Sequence, residues 1–208
     1  MRIIINYEKN GISLMRVIAG TARGHKLVAP NGLNTRPTLD RVKENLFNIL
    51  RPYLHGARFL DLFGGSGAIG IEALSQGAKE SVFVEHRTHA AKVIRQNLIH
   101  TKLINQGRIL NMQVWRAIEL LSKERTFDII YIDPPYKSDI TEKVINTLGN
   151  ANLLHENGLL AVEMHQSAPL PDVKRYTIKN FKEYGNTKMI FYANIVYNEA
   201  ENENNKGV

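Results

Sequence analysis

Hydrophobic and polar positions alternate between strand-like and helix-like patterns along most of the chain after residue 58. Short apolar runs predict five strands, at 59–63, 81–85, 109–114, 127–133 and 158–163. Apolar residues at helical spacing predict helices between them, at 68–75, 88–100, 117–123 and 141–148. Strands that alternate with helices pair in parallel, so this pattern predicts a doubly wound α/β sheet.

Two more strands are predicted at 176–181 and 188–196. Only a turn around Tyr184, Gly185 and Asn186 separates them, and this turn is too short for a helical crossover. The two strands should therefore pair antiparallel. The whole pattern predicts a mostly parallel seven-stranded sheet with an antiparallel last strand, unlike the sheet of an ordinary dinucleotide-binding domain.

The N-terminal part predicts a smaller unit in front of this sheet. Apolar pieces at 17–19 and 27–29 flank a turn at 21–24, which indicates a short hairpin. A helix should then open at Thr38 and place Leu46 on its apolar face.

The expected organisation is one domain with two appended ends. We expect residues 1–14 to be an upstream extension that precedes a start at Met15. Residues 15–197 should form the single domain, with the hairpin unit at 15–36. Residues 198–208 contain no core-forming run, so we expect a disordered tail.

Charge and composition narrow the classes of function. The 208 residues carry a net charge of +7, from 27 Lys and Arg against 20 Asp and Glu, and a basic excess attracts polyanions. One basic stretch contains a single acid, Asp40, among the cations Arg16, Arg23, Lys26, Arg36, Arg41 and Lys43. It is a candidate phosphate-contacting surface, although a solvated basic surface without a partner is the alternative.

Other features exclude several kinds of site. The chain has no cysteine, which rules out disulfides, zinc–thiolate sites and cysteine nucleophiles. Its seven histidines show no metal-ligand spacing, so no metal is expected. No apolar run is long enough to cross a membrane, and the first residues do not resemble a signal peptide, so we expect a cytoplasmic protein that binds no membrane.

The first chemical motif is a glycine-rich turn after the first predicted strand. Gly65, Gly67 and Gly70 match G-x-G-x-x-G between a strand and a helix, where glycine lets the backbone approach a ligand closely. Glu85 ends the next strand, where a carboxylate can accept hydrogen bonds from both ribose hydroxyls. The motif indicates binding of a nucleotide-like cofactor, and either NAD or S-adenosylmethionine fits it. Asp61, inside the strand end, favours S-adenosylmethionine.

The second motif, Asp133-Pro134-Pro135-Tyr136, follows the predicted strand 127–133. Two prolines fix the backbone and remove two amide donors, so nearby carbonyl groups stay available as acceptors. An acid, a carbonyl and an aromatic ring would then stand at the carboxyl end of a central strand, where ligands bind in open α/β sheets. The alternative is a rigid turn that merely ends the strand.

With both motifs in hand, residues 15–197 resemble the 16S ribosomal RNA guanine-N2 methyltransferases of the RsmD type. The matching segments are 16–24, 35–38, 42–50, 61–67, 133–136, 162–165 and 184–187. The resemblance implies the class I methyltransferase fold and S-adenosylmethionine as cofactor. It also implies one guanine of bacterial 16S ribosomal RNA as target, in naked RNA or in a partly assembled small subunit. We expect a monomer.

The resemblance also implies a role for each motif residue. Cofactor contacts are expected from Asp61, Gly64, Gly65, Ser66, Gly67, Glu85, Arg116 and Ala117. Catalytic roles are expected for Asp133, Pro134, Pro135 and Tyr136. Substrate or RNA contacts are expected from Arg23, Lys26, Thr35, Arg36 and Thr38. Arg116 cannot accept a hydrogen bond from the adenine amine, so backbone groups would have to read the base there. Trp115 is expected to serve packing rather than base stacking.

The implied mechanism relies on positioning. Asp133 and the Pro134 carbonyl would accept hydrogen bonds from the target amine, and Tyr136 would stack on the base. The same motif also serves amino-methyltransferases that act on DNA adenine or cytosine, or on protein glutamine. A ribosome assembly factor without catalysis is the alternative from another class.

Overall fold

A twisted sheet with helices on both faces forms the centre of the computed structural model. The structure describes residues 15–30, 39–134 and 138–195, so the predicted extension 1–14 and tail 198–208 lie outside it. The strands are β1 Arg58–Asp61, β2 Glu80–Val84, β3 Gly107–Leu110, β4 Phe127–Ile132, β5 Leu154–His165, β6 Tyr176–Tyr184 and β7 Thr187–Asn194. The helices are α1 Leu39–Leu54, α2 Ala68–Ser75, α3 Thr88–His100, α4 Val114–Leu121 and α5 Ser138–Asn150.

The order of the strands confirms the predicted fold class. Within the described residues the seven strands run β3-β2-β1-β4-β5-β7-β6. β1 to β5 pair in parallel, whereas β7 lies between β5 and β6 and is antiparallel to both. This is the class I methyltransferase arrangement, and it places the carboxyl ends of β1, β2, β4 and β5 on one edge of the sheet.

Alternation along the strands distributes the core over two faces. Phe59 of β1 packs with buried residues of α1, α2 and α3, whereas its neighbour Leu60 packs with residues of α4 and α5. Side chains in a strand point alternately to opposite faces, so each central strand is apolar on both sides. No helix in the described part of the chain is long and apolar enough to cross a membrane.

The predicted boundaries hold for α2 and α3 and are wrong around β3. The run 109–114 was expected to be a strand, but β3 ends at Leu110 and Val114 already begins α4. Val114, Ala117 and Leu121 are buried at spacings of three and four, which is the face of a helix. A loop that begins at Asn111 separates the two elements, so the apolar residues of the predicted strand belong to two elements.

The N-terminal hairpin is present as two legs joined by one antiparallel bridge, between Arg16 and Lys26. Its tip approaches the end of α2 so closely that a Cβ on Gly20 would lie 1.7 Å from the Ser75 carbonyl oxygen. Thr21 and Ala22 donate backbone hydrogen bonds to the Ser75 carbonyl and hydroxyl oxygens, at 2.8 and 2.9 Å. The tip therefore packs firmly against the end of α2.

Buried polar side chains attach the legs of the hairpin to the domain. The Glu72 carboxylate accepts hydrogen bonds from the amides of Ile18 and Ala19, at 2.8 and 2.9 Å. The Asn97 amide exchanges two hydrogen bonds of 2.9 Å with the Val28 backbone. Buried polar groups need such partners, so these contacts fix where the hairpin lies on α2 and α3.

Candidate active site

The glycine turn joins β1 to α2 and crosses the end of β2. The Gly64 amide donates to the Val84 carbonyl at 2.9 Å, and the Gly67 amide donates to the Gly64 carbonyl at 2.6 Å. Gly67 has φ of +79°, a left-handed conformation that disfavours any side chain. A Cβ on Gly70 would lie 2.2 Å from the Phe83 ring, so the third glycine lets α2 pack closely on β2.

Ser66 connects this turn to α3 and the hairpin. Its backbone carbonyl accepts a hydrogen bond of 2.9 Å from the buried Asn97 side chain, which also holds Val28. Its hydroxyl accepts from the Ala68 amide at 3.3 Å. The turn is therefore braced from one side by Asn97, a residue that sequence reasoning did not single out.

Glu85 lies directly after β2, as predicted, and its side chain is buried. One carboxylate oxygen accepts from the Gly65 amide at 3.0 Å, and the other accepts from the amide and guanidinium of Arg87, at 2.8 and 3.2 Å. Each oxygen has two lone pairs, so the oxygen bound to the Gly65 amide keeps capacity for a further donor, whereas the other already accepts two. The carboxylate thus lies against the glycine turn.

Asp61 is the last residue of β1 and is only 2% exposed. Backbone amides of Phe63 and Gly70 hydrogen-bond to its carboxyl group, while Oδ1 has no partner among the described residues. Burial raises the pKa of Asp61 to about 7, which outweighs these amides, and the negative charge of Glu85 contributes to the rise. An acceptor atom is thus buried without a partner beside the glycine turn.

Asp133 follows β4 and carries the start of the second motif. The protein packed around it raises the pKa of its carboxyl group well above the usual range, and the charges of Glu163 and Asp61 add to the rise. Asp133 is nevertheless exposed, so water offsets part of the effect of the surrounding protein on this pKa. Pro134 is buried next to it. The catalytic assignments of Pro135 and Tyr136 lie outside the described residues.

Glu163 joins this group through a contact that the sequence did not indicate. The Tyr131 hydroxyl of β4 donates a hydrogen bond of 2.6 Å to the Glu163 carboxylate of β5. Tyr131 is buried, and burial followed by the charges of Glu163 and Asp133 raises its pKa well above the ordinary value. Burial also raises the pKa of Glu163, although the Tyr131 hydrogen bond opposes that rise.

Four carboxyl groups therefore meet at the carboxyl edge of β1, β2, β4 and β5, on Asp61, Glu85, Asp133 and Glu163. The charge of Glu85 raises the pKa of Asp61, and the charges of Glu163 and Asp61 raise the pKa of Asp133, because a negative charge disfavours a second one nearby. Such a group suits a cationic ligand, which would stabilise the ionised forms. Across residues 15–30, 39–134 and 138–195, no three acidic or histidine side chains are arranged to hold a metal ion.

The predicted adenine contacts lie on α4. Arg116 is exposed in the first turn of this helix, whereas Ala117 is fully buried in the core and its amide donates to the Gln113 carbonyl at 3.0 Å. Any contact with an adenine at this position would therefore come from neighbouring groups and not from the Ala117 side chain. Trp115, which was expected to serve packing rather than base stacking, has 42% of its surface exposed. The buried face of α4 is formed by Val114, Ala117, Ile118 and Leu121, and Trp115 lies outside it.

The predicted RNA contacts are not gathered at this edge. Arg23 and Lys26 are exposed on the hairpin, whose tip packs on the C-terminal end of α2. Lys43 was counted in the basic stretch, and that part of the prediction is wrong. Its ammonium group is buried, lies 3.0 Å from the Glu72 carboxylate and donates to the Arg16 carbonyl, so it is not available to phosphate. The substrate assignments of Thr35, Arg36 and Thr38 lie outside the described residues.

Sequence comparisons match this chain to a family of methyltransferases. The family described as Conserved hypothetical protein 95 matches residues 15–193. Ribosomal RNA small subunit methyltransferase D of Haemophilus influenzae is 36% identical over 181 residues, 86% of this chain and 94% of the relative. The protein of the same name from Escherichia coli strain K12 is 36% identical, over 79% of this chain and 81% of the relative.

Solved structures show the same fold. The Escherichia coli protein yhhF is 34% identical, with a TM-score of 0.77, and the match covers 88% of this chain and 98% of that one. A hypothetical protein of Thermus thermophilus is 27% identical, with a TM-score of 0.74, and the match covers 86% of this chain and 99% of that one. The chain therefore belongs to the family of the ribosomal RNA small subunit methyltransferase D proteins.

Proposed function

We propose that this protein transfers a methyl group from S-adenosylmethionine to the exocyclic N2 amine of one guanine in 16S ribosomal RNA. The observation that carries the proposal is the position of Asp133 and Pro134 on the edge that also carries the glycine turn and Glu85. The names of the relatives support ribosomal RNA of the small subunit as the substrate. Such a substrate implies action in the cytoplasm.

The chemistry of the edge fits the cofactor. S-adenosylmethionine supplies an activated methyl group on a positively charged sulfur, and four carboxyl groups at this edge of the sheet would favour a cation there. Glu85 is placed to accept hydrogen bonds from ribose hydroxyls. The unpartnered Oδ1 of Asp61 is an acceptor beside the turn, in keeping with the ammonium group of the methionine part. Arg116 and Ala117 remain predicted adenine contacts.

The proposed role of Asp133 is to orient the amine. The lone pair of a guanine N2 amine is delocalised into the ring, so the enzyme must turn it toward the methyl carbon. Hydrogen bonds from the amine to the Asp133 carboxylate and the Pro134 carbonyl would do so. Tyr136 would hold the ring by stacking on it, and Pro135 would fix the backbone between these groups.

The Asp133 carboxyl group accepts hydrogen bonds from the amine most strongly when it is ionised. The like charges of Glu163 and Asp61 oppose ionisation in the cofactor-free protein. A bound cation reverses this effect, because it favours every negative charge around it. The carboxyl cluster therefore couples cofactor binding to the state of Asp133 in which it accepts hydrogen bonds. The amine becomes acidic once methylated, and its proton passes to water.

Transfer of a labelled methyl group tests the proposal. Purified protein is incubated with tritiated S-adenosylmethionine and either naked 16S ribosomal RNA or small-subunit particles that lack the modification. Label should enter the RNA and not the ribosomal proteins, and Asp133→Ala should abolish the transfer. Binding of the cofactor without transfer to either substrate would instead support an assembly factor.

A further inference from the structure

The hairpin and the outer face of α3 form a basic cleft on the described surface. The cleft has a volume of about 510 Å³ and is lined by Arg23, Gly24, His25, Lys26 and His100. The rings of His25 and His100 meet edge to face, with 5.3 Å between their centroids. Residue 100 ends α3, so the cleft brings together the two elements that Asn97 and Val28 connect.

Neither wall of the cleft contains an acid. Residues 15–30 and the whole of α3 carry no Asp or Glu. Ion pairs in the described residues use other cations, on Lys43, Arg58, Arg87 and Arg108. Arg23 and Lys26 are exposed, and so is His100. Neighbouring carboxylates therefore do not neutralise the positive charge of this face, whereas Glu72 neutralises the charge of Lys43.

The basic residues continue along α3 toward the candidate active site. His89 and Lys92 are exposed and lie on the same side of the helix as His100, because 3.6 residues make one turn. His89 lies near the start of α3, which follows Glu85 and Arg87. The distance along the helix from His100 to His89 is about 17 Å at a rise of 1.5 Å per residue. A row of cationic and imidazole groups thus joins the cleft to the carboxyl edge of the sheet.

We propose that the cleft and this row form a track for the sugar-phosphate backbone of the substrate RNA, outside the target nucleotide. The backbone of one strand would enter beside Arg23 and Lys26, pass His100 and Lys92, and reach the edge that carries Asp133. The track rests on the proposed function, since it takes RNA as the substrate.

The track would position the RNA, whereas the edge around Asp133 would carry out the methyl transfer. Phosphate contacts hold an RNA in register but do not read its bases. The track therefore adds affinity for any RNA strand, whereas the choice of nucleotide stays with the edge around Asp133. Loss of a track cation should weaken RNA binding without affecting how the cofactor binds.

Single charge removals on the two walls test the track. The variants are Lys26→Gln on the hairpin, Lys92→Gln on α3 and the pair combined. Lys123→Gln is the matched control, because it removes one exposed lysine just after α4, which packs on the other face of the sheet from α3. Binding of fluorescein-labelled 16S ribosomal RNA, transcribed in vitro, is measured by fluorescence anisotropy. The KCl concentration is varied from roughly 50 to 300 mM, a range over which the Debye length shortens about twofold.

Each track variant should flatten the log–log salt dependence by about 0.7–0.9 and weaken binding roughly five- to eightfold near 0.1 M salt, as expected for one lost phosphate contact. The double variant should lose both amounts, about 25- to 60-fold in affinity. Lys123→Gln should change the slope by much less. Affinity for S-adenosylmethionine, measured by calorimetry, should equal that of the wild type in every variant.

Three results would overturn the track. The first is an unchanged slope in Lys92→Gln, and the second is an equal change in Lys123→Gln. The third is a loss of methyl transfer confined to ribosomal particles while binding to naked RNA stays unchanged, which would assign this face to a protein. If the wild type binds RNA but transfers no methyl group, the proposed function fails, while the salt slopes still decide the track.

Discussion

Replacement of Asp61 by asparagine should make the cofactor-free protein more stable at high pH. The folded state holds the Asp61 proton up to a pKa of about 7, whereas the unfolded chain releases it near 3.8. Folded protein therefore binds more protons between these values, and wild-type stability falls as pH rises through them. Asparagine has no charge to bury, and its oxygen can still accept from the amides of Phe63 and Gly70.

The expected size follows from the shift. A difference of about 3 pKa units corresponds to about 4 kcal/mol at 1.36 kcal/mol per unit. Relative to the wild type, Asp61→Asn should thus gain roughly 4 kcal/mol between pH 4 and pH 8. At pH 4 both proteins carry a neutral group, so the difference there reports only the changed hydrogen bonds.

Urea unfolding at several pH values from 4 to 8.5, without cofactor, measures this difference. Glu119→Gln, which removes an exposed carboxylate on α4, is the control and should show no such pH dependence. A stability difference between Asp61→Asn and wild type that stays constant with pH would refute the reasoning, because Asp61 would then be ionised in the folded state at no cost. The same variant should bind S-adenosylmethionine more weakly, so the site would trade stability for function.

Three further outcomes follow from the contacts at the edge. Glu85→Ala should lower the cofactor affinity measured by calorimetry at least tenfold, since charged hydrogen bonds contribute about 1.5–3 kcal/mol each. Glu85→Gln keeps an acceptor for the Gly65 amide and should lose less affinity. Equal affinity in the wild type and both variants would remove Glu85 from the site. The single-turnover rate of methyl transfer should fall by ~10–1000-fold in Asp133→Asn and to background in Asp133→Ala. If both variants are equally inactive while they still bind cofactor and RNA, the carboxylate charge itself is required. Tyr131→Phe should lower the free energy of unfolding by about 1–3 kcal/mol, because Glu163 loses its donor; unchanged urea unfolding would show that water replaces the hydroxyl.

Sequence patterns predicted most of the fold because its signals are local. The glycine turn and the threonine at position 88 mark the starts of α2 and α3, and both helices have the predicted bounds. The error around β3 has a local cause as well. The apolar run 109–114 is compatible with a strand when it is considered alone. Val114 and Ala117, however, are three residues apart, which is the spacing of one face of a helix.

The site was predictable where one residue follows one strand. Glu85 and Asp133 lie at strand ends, so parallel pairing alone brings them to a common edge. The bond between Tyr131 and Glu163 depends instead on the register of β4 against β5, which no local pattern contains. The burial of Lys43 has the same origin, because its partner Glu72 is on another helix. A lysine in a basic stretch gives no sign that a distant carboxylate has buried it.

The most direct test of the account is the identity of the methylated nucleoside. Small-subunit particles that lack the modification are incubated with the protein and isotopically labelled S-adenosylmethionine, and the RNA is digested to nucleosides and analysed by mass spectrometry. The account predicts label in N2-methylguanosine at a single position of 16S ribosomal RNA. Label in N6-methyladenosine or in a methylated cytidine, or no labelled nucleoside at all, would contradict it.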